Sequence, residues 1–243
     1  TSPDIPFNEG AKRPIEISAP YGSLLNPMPP APVRARMLSA YRAFNAVMKA
    51  LAQAAPERAI AAGFDTTESC CLSHFTENGY SIYLEIFGGG YGASAGDDGC
   101  DAVDSPLSNC GNIPVEAMDM EHGFFRVIEY SVVPDSGGNG KFRGGLGLRR
   151  VYEVLEDNVK FATYSDRCRI TPEGLFGGET GGAASTQIIR GRETIELGSK
   201  LSFDLRKGDK LVMTTGGGAG YGDPAERAPD RVAADLEQGF VTA

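Results

Sequence analysis

The sequence predicts an α+β chain that is mostly β, with a long N-terminal helix, then antiparallel strands with glycine-rich loops, and a short C-terminal helix. Three observations predict this class. Apolar residues recur at three- and four-residue spacing in one early segment. Short runs of β-type residues, separated by turn residues, follow from Ser69 onward. The 32 glycines fall in separate clusters and form no repeat, which indicates ordered loops on a β-rich scaffold.

The first 31 residues are rich in proline and are predicted to be extended. Proline fixes φ and removes a backbone donor, so this stretch can bury little alone and is expected to lie over a partner surface. A helix is predicted from Pro32 to Ala54, because proline suits a first turn and an apolar stripe follows. The stripe is expected to pack in the core and consists of Val33, Met37, Tyr41, Phe44, Met48 and Leu51.

The chain is predicted to divide into two regions, a proline-rich entry with its helix at 1–68 and a β-rich region with a C-terminal helix at 69–243. Lys207-Gly208-Asp209 predicts a turn, and Ala228–Phe240 predicts the terminal helix, with Asp230 as N-cap or first-turn acid. The predicted strands are Tyr80–Phe87, Phe124–Val133, Gly147–Glu156, Val159–Tyr164, Ser185–Arg190, Thr194–Leu197, Lys200–Asp204 and Lys210–Thr214.

The charge balance and the cysteines exclude several classes of function. Lysine and arginine number 23 against 32 acidic residues, a net charge of −9, which disfavours nucleic acid and anionic membranes as partners. The five cysteines are odd in number and lack CxxC spacing, so neither a disulfide framework nor a zinc ribbon is indicated. No apolar run of membrane-spanning length occurs, and a cytoplasmic setting is predicted.

Three glycine clusters stand out, at 88–96, 137–147 and 216–222. Triple glycine after a strand exposes backbone N–H groups, and such nests bind anions. The candidate nests are Gly88, Gly89, Gly90, Gly216, Gly217 and Gly218. Tight turns and close backbone packing are an equally good interpretation, because the GxxxxGK[ST] pattern of a phosphate-binding loop is absent.

Two further patterns carry weaker signals. Gly92–Gly96 satisfies GxSxG, but helix-breaking residues follow Ser94 where a nucleophile elbow needs a helix, so a loop is predicted. The neighbouring acids could collect a hard cation, although a solvated acidic loop is the commoner outcome and no metal site is assigned. These acids are Asp97, Asp98, Asp101 and Asp104.

Six motifs, in the same order, resemble the hydantoinase B/oxoprolinase family over nearly the whole chain. The most specific is PDSGGNGKFRGGLGLRRVY at Pro134–Tyr152. The others are PDIPFNEGAKRPIEI at Pro3–Ile17, APYGSLLNPMPPAPVRAR at Ala19–Arg36, FGGGYGASAGDDGCDAV at Phe87–Val103, SNCGNIPVEAM at Ser108–Met118 and TTGGGAGYGDPAER at Thr214–Arg227. Full subunits of this type are longer and carry these motifs in their C-terminal half. The chain is therefore expected to be a C-terminal fragment, from a natural split or a cleavage.

The resemblance implies part of the B-type subunit of an ATP-dependent hydrolase of cyclic amides (hydantoins, lactams or 5-oxoproline) that is inactive alone. ATP and Mg²⁺ are then expected on an ATP-binding A-type partner, a divalent metal in the N-terminal half of the B-type subunit, and no cofactor on this chain. Expected partners are those two polypeptides and a small-molecule substrate. The alternatives are a subunit of an acetone- or acetophenone-type carboxylase, or a non-catalytic scaffold piece.

Four residues are candidates for orienting a substrate or an interface, while the catalytic residues are not assigned. Asn109, Asn112 and Glu116 supply two amides and a carboxylate within eight residues, which can order turns or hold a polar substrate. Glu116 could equally start a helix. Arg143 could bind a carboxylate or phosphate bidentately, and a salt bridge from Arg143 to Asp135 is the favoured alternative.

Overall fold

Two antiparallel β-sheets face one another and enclose the hydrophobic core. The structure is a computed structural model and describes residues 6, 8–33, 36–77, 79–104, 107–108, 111 and 113–242. Within these residues there is a four-stranded sheet and a five-stranded sheet. The strands are β1 (Glu68–Thr76), β2 (Gly79–Phe87), β3 (Phe125–Val132), β4 (Leu148–Val154), β5 (Val159–Tyr164), β6 (Ser185–Arg190), β7 (Glu193–Leu197), β8 (Lys200–Leu205) and β9 (Lys210–Thr214).

The order of strands is β2-β1-β5-β8 in the smaller sheet and β3-β4-β9-β6-β7 in the larger one. In the smaller sheet, β1 pairs with β2 along its full length, with Cys71 opposite Leu84. Alternate side chains of each strand point inward, so the core draws from both sheets. Examples are Leu72 and Phe161 from one sheet and Tyr152, Ile188 and Leu211 from the other.

The predicted fold class was wrong in its helical part. The expected long N-terminal helix is a 16-residue helix, α1 (Arg36–Leu51), preceded by an irregular stretch. The described residues contain two more α-helices, α2 (Val115–Glu121) and α3 (Pro229–Glu237). None of these helices combines the length and the apolarity needed to cross a bilayer. The mostly β character and the short C-terminal helix agree with the prediction.

The apolar stripe of α1 does not enter the main core. Tyr41 is fully buried, but Val33 and Leu51 are exposed, and none of the six stripe residues belongs to the core cluster. Instead, α1 is attached by polar contacts, among them a hydrogen bond from the Arg42 guanidinium to the Asp65 carbonyl. The stripe therefore does not pack in the main core, although Tyr41 is buried outside it.

The strand predictions were confirmed more closely. The bounds of β5, β6 and β9 agree with those predicted, and the others differ by at most two residues at either end. The turn at Lys207-Gly208-Asp209 is present, with Gly208 at φ +87. β1 was not predicted as a separate strand, because its polar residues Glu68 and Ser69 are buried and hide its apolar alternation. The division at residue 68 stays a prediction.

Candidate functional site

The three glycine clusters meet and pack backbone to backbone, forming what we call the glycine platform (residues 88–96, 137–147 and 216–222). The Gly90 N–H donates to the Gly216 carbonyl at 3.0 Å, which joins the first cluster to the third. The Gly218 N–H donates to the Gly145 carbonyl at 2.8 Å, which joins the third to the second. The Gly145 N–H in turn donates to the Tyr91 carbonyl at 2.8 Å.

Glycine is required at the centre of the platform because the chains approach too closely for side chains. A Cβ atom at Gly90 would lie 1.9 Å from the Gly145 carbonyl oxygen. One at Gly218 would lie 1.9 Å from the Tyr91 carbonyl oxygen. Both obstructing atoms are hydrogen-bonded backbone and cannot swing away as a flexible side chain could.

The predicted anion nests lie inside this packing. The N–H groups of Gly89, Gly90 and Gly218 already donate to the carbonyls of Val103, Gly216 and Gly145. These three donors therefore stabilise the platform itself. Anion binding by the remaining predicted nest residues stays a prediction.

Arg143 belongs to the second cluster of the platform, is buried, and pairs with two acids that are distant in sequence. Its Nη1 lies 2.9 Å from Asp101 Oδ1, and its Nε lies 3.4 Å from Asp235 Oδ1. Nη1 also donates to the Gly144 carbonyl at 2.7 Å. The predicted pairing with Asp135 was wrong, because the Asp135 carboxylate accepts hydrogen bonds from the N–H and hydroxyl of Thr242 instead.

A second arginine extends this ion network to the C-terminal helix. Arg227 donates to Asp98 Oδ1 at 2.8 Å and to Asp235 Oδ2 at 2.6 Å, and Arg231 reaches Asp98 Oδ2 at 3.0 Å. Desolvation of Asp98 opposes its ionisation, but hydrogen bonds from Arg227 and from the Arg143 backbone outweigh it and hold its pKa below the usual range. The network thereby ties α3 to the glycine platform.

A cleft of about 370 Å³ opens between the platform and α3, a volume within the range of small-molecule sites. Arg143, Arg227 and Asp235 lie along it, with Asn139 and Val232 among its other lining residues. Both guanidinium groups are already paired with carboxylates. The cleft therefore offers a nearly neutral surface, and an anionic ligand would have to compete with the internal acids.

Replacing Arg143 by alanine should lower the free energy of unfolding by about 2–3 kcal/mol, because the half-buried Asp101 would lose its cation and the buried Asp235 would keep its pair with Arg227 alone. The matched control is Arg126→Ala. Its pair with Glu153 lies at the exposed surface, so a change below about 1 kcal/mol is expected. Urea unfolding of both variants at one pH is the measurement, and equal losses would contradict a special role for Arg143.

The other predicted site residues lie elsewhere or outside the described part of the chain. Glu116 is exposed in the first turn of α2, as its alternative interpretation predicted. Asn109 and Asn112 lie outside the described residues. The proposed orienting role of Asn109, Asn112 and Glu116 therefore stays a prediction.

The GxSxG motif lies in a loop, and two acids of the acidic loop belong to the ion network. Ser94 is followed by bends and irregular backbone with no helix up to Asp104, as expected of a loop. Asp98 and Asp101 belong to the ion network described above. In the part of the chain that the structure describes, no three His, Cys, Asp or Glu side chains are grouped so as to hold a metal ion.

Sequence reasoning missed a buried polar network that joins the two sheets. The carboxylate of Glu85 on β2 accepts hydrogen bonds from the Arg150 guanidinium on β4 and from the hydroxyls of Tyr83 and Tyr152. Burial raises the pKa of both tyrosines well above the usual range, so they remain hydrogen-bond donors. Alternation along β4 could have shown that Arg150 shares a face with Leu148 and Tyr152, but no pattern identified its partner.

A smaller cleft of about 170 Å³ lies between α1 and the segment 167–175, and both polar and apolar side chains line it. Arg42, Asn45, Lys49 and Arg167 line it, and all but Arg167 come from α1. The Arg167 guanidinium donates to Asn45 Oδ1 at 2.8 Å and also to backbone carbonyls. Burial, then repulsion from Arg42, lowers the pKa of Arg167 to about 10. More than a hundred residues separate its two sides, so local sequence patterns could not reveal this cleft.

The buried carboxyl group of Glu68 on β1 should give the protein an unusual pH dependence of stability. Burial raises the pKa of Glu68 from the ordinary 4.5 to about 8. Hydrogen bonds from Ser165 and Thr186 lower the pKa, but by less than burial raises it. Between those two values the folded state keeps a proton that the unfolded state has released, so stability falls as the pH rises through this window and levels off above it. Relative to the unchanged chain, Glu68→Gln should gain about 4 kcal/mol between pH 5 and pH 8.5. Urea unfolding at both pH values measures this, and parallel pH profiles would contradict it.

The comparisons with known proteins agree with this fold over nearly the whole chain. The Hydantoinase B/oxoprolinase family model matches residues 1–224. A protein of Pseudomonas sp. (strain NS671), named as the B-type subunit of a D-/L-hydantoinase, is 36% identical over 242 residues, which are 98% of this chain and 40% of that protein. The chain thus spans about two fifths of this relative's length.

Two solved structures share the fold. The crystal structure of the ATP-dependent caprolactamase from Pseudomonas jessenii matches with a TM-score of 0.76 and 26% identity, covering 93% of this chain and 41% of that one. A nucleotide-free acetone carboxylase matches with a TM-score of 0.64 over 79% of this chain and 30% of that one, and at 19% identity it shows the fold alone. Since the family model covers most of the sequence, the chain belongs to the hydantoinase B/oxoprolinase family.

Proposed function

We propose that this chain is the C-terminal part of a B-type subunit in an ATP-dependent complex that hydrolyses a cyclic amide such as a hydantoin, a lactam or 5-oxoproline. The observation that carries the proposal is the match to the hydantoinase B-type subunit and to the ATP-dependent caprolactamase along nearly the whole chain. Among the described residues, Cys70, Cys71, Cys100 and Cys168 are free thiols, which fits a reducing cytoplasm.

The chemistry explains why nucleotide is needed. Amide resonance makes the ring carbonyl a poor electrophile, and phosphorylation of its oxygen by the A-type partner would supply a leaving group for attack by water. The residues described in this chain do not fit a site for ATP and Mg²⁺. The N–H groups of Gly89, Gly90 and Gly218 are already bonded to carbonyls, and no acidic group suited to a metal is formed among the described residues. We propose that nucleotide binds to the A-type partner, in keeping with the ATP-dependent caprolactamase that shares this fold.

Within this chain, the proposed contributions are orientation and support. Asn109, Asn112, Glu116 and Arg143 remain the residues proposed to orient substrate or interface. A second candidate function, a non-catalytic scaffold, is favoured by one specific observation: the guanidinium of Arg143 is committed to Asp101 and Asp235.

The test is reconstitution with the A-type partner and the remainder of a B-type subunit. We expect ATP consumption that depends on a lactam or hydantoin and that disappears when this chain is left out. Consumption that depends on a ketone plus bicarbonate would assign a carboxylase instead. Turnover by this chain alone would contradict the proposal.

Arg143→Ala, compared with Arg126→Ala, separates orientation from scaffolding. Loss of kcat in an assembled complex of normal stoichiometry would support a role in orienting substrate. Unchanged turnover in the assembled complex would support the scaffold. Failure to assemble would show that the ion network matters for association.

A further inference from the structure

We propose that the free side of β2 is a docking edge, at which a strand from the remainder of the B-type subunit extends the four-stranded sheet and covers Tyr80, Ile82 and Leu84. This inference rests on the proposed function, from which it takes the identity of the partner, and adds the surface that the partner contacts.

The first observation is the position of β2 in its sheet. β2 is nine residues long and stands at the end of the order β2-β1-β5-β8. It pairs with β1 without a register shift from Glu68–Phe87 to Thr76–Gly79, and no described strand pairs with its other side. A long, regular edge presents a row of backbone donors and acceptors that a further strand can use.

The second observation is the apolar stripe that this edge carries. Tyr80, Ile82 and Leu84 point away from the core and are 71%, 51% and 56% exposed. Phe75, opposite Tyr80 on β1, is also exposed. A contiguous exposed apolar stripe is typical of an interaction site.

The stripe is confined to the β2 side of the sheet. Further across the same outer face, Lys160 on β5 pairs with Asp204 on β8 at 2.6 Å, and both side chains are largely exposed. Ser202 on β8 is also exposed. The outer face therefore changes from apolar at β2 to charged and polar at β8, as expected if only the β2 end is covered.

The third observation is that β2 has few of the devices that protect an edge. Its sequence, GYSIYLEIF, contains no lysine, arginine or proline, the residues that commonly block edge pairing. Its one charged residue, Glu85, points inward and is neutralised by Arg150. Among the described residues of β2, no outward-pointing side chain therefore opposes an added strand.

The occupant is inferred from the length of the relatives. The matched region is 40% of the hydantoinase B-type subunit and 41% of the caprolactamase chain, so about three fifths of each lies outside it. In both relatives the unmatched part belongs to the same polypeptide as the matched region. The two parts are therefore present in equal amounts. A strand bearing alternating apolar side chains is the chemistry that complements the stripe.

The test co-expresses the full chain with the unmatched three fifths of the Pseudomonas sp. (strain NS671) relative. We expect the two polypeptides to co-purify, and alternate amides of residues 79–87 to exchange hydrogen at least tenfold more slowly in the complex than in the chain alone. The double variant Ile82→Lys/Leu84→Lys should weaken the association at least tenfold. The control Ser202→Lys places one positive charge on the outer face at the opposite edge and should change the association less than twofold.

The outcomes separate this inference from the proposed function, because binding is measured without nucleotide or substrate. Absence of co-purification, protection confined to other segments, or equal effects of the double variant and the control would overturn it. A homodimer that the double variant dissolves and that excludes the co-expressed polypeptide would assign the edge to a second copy and overturn it as well. If the double variant does not fold, amide exchange of the unchanged complex decides the question.

Discussion

Replacing Arg150 by methionine is expected to lower the free energy of unfolding by about 3–5 kcal/mol, the cost of removing one partner from a buried ion pair. Arg150 is fully buried, and its partner Glu85 is nearly so. The change would leave the Glu85 carboxylate with only the hydroxyls of Tyr83 and Tyr152. The guanidinium carbon also lies 3.9 Å from the ring centroid of Tyr130, and this cation–π contact would be lost too.

A double variant separates the charge from the packing. In Glu85→Gln/Arg150→Met both charges are removed, and stability should recover by at least about 1–2 kcal/mol relative to Arg150→Met. The control Arg126→Met removes an exposed pair with Glu153 and should cost less than about 1 kcal/mol. Urea unfolding of the unchanged chain, Arg150→Met, the double variant and the control measures these differences. Equal stability of the single and double variants would show that packing alone determines the loss.

Gly90→Ala is expected to cost about 3 kcal/mol or more, because the new Cβ would meet a carbonyl oxygen at 1.9 Å and interior overpacking of this kind is relieved only by moving backbone. Gly218→Ala should behave in the same way, since its Cβ would meet the Tyr91 carbonyl oxygen at the same distance. Both changes would separate the clusters of the glycine platform.

The matched control is Gly96→Ala in the same loop region. A Cβ there meets nothing within 4 Å, and Gly96 has no positive φ, so the change should be neutral or stabilise by up to about 1 kcal/mol. Thermal unfolding of the three variants is the measurement. A Gly90→Ala protein as stable as Gly96→Ala would contradict the close approach described for the platform.

The strands could be predicted because their signal is local. Alternation and turn residues defined β5, β6 and β9 with the observed bounds. The length of α1 was overestimated because an apolar stripe and Pro32 suggested a helix that began earlier, whereas the chain before Arg36 is irregular over residues 27–33. β1 was overlooked because glutamate is usually found at the surface, whereas Glu68 is buried.

The candidate site was less predictable because its residues meet only in three dimensions. Arg143 was singled out as a candidate, but its partners Asp101 and Asp235 lie 42 and 92 residues away. The nearer Asp135 was chosen instead. Neither the Glu85–Arg150 pair nor the cleft at Arg42 and Arg167 had any local pattern to identify it.

By itself the amino-acid sequence determined the family, most of the strands and the places where glycine is dense, because motif order, alternation and composition are properties of neighbouring residues. Only the tertiary structure decided what the glycines do and which charges pair. Those outcomes depend on the distance between segments far apart in the chain, and that distance is set by how the two sheets pack.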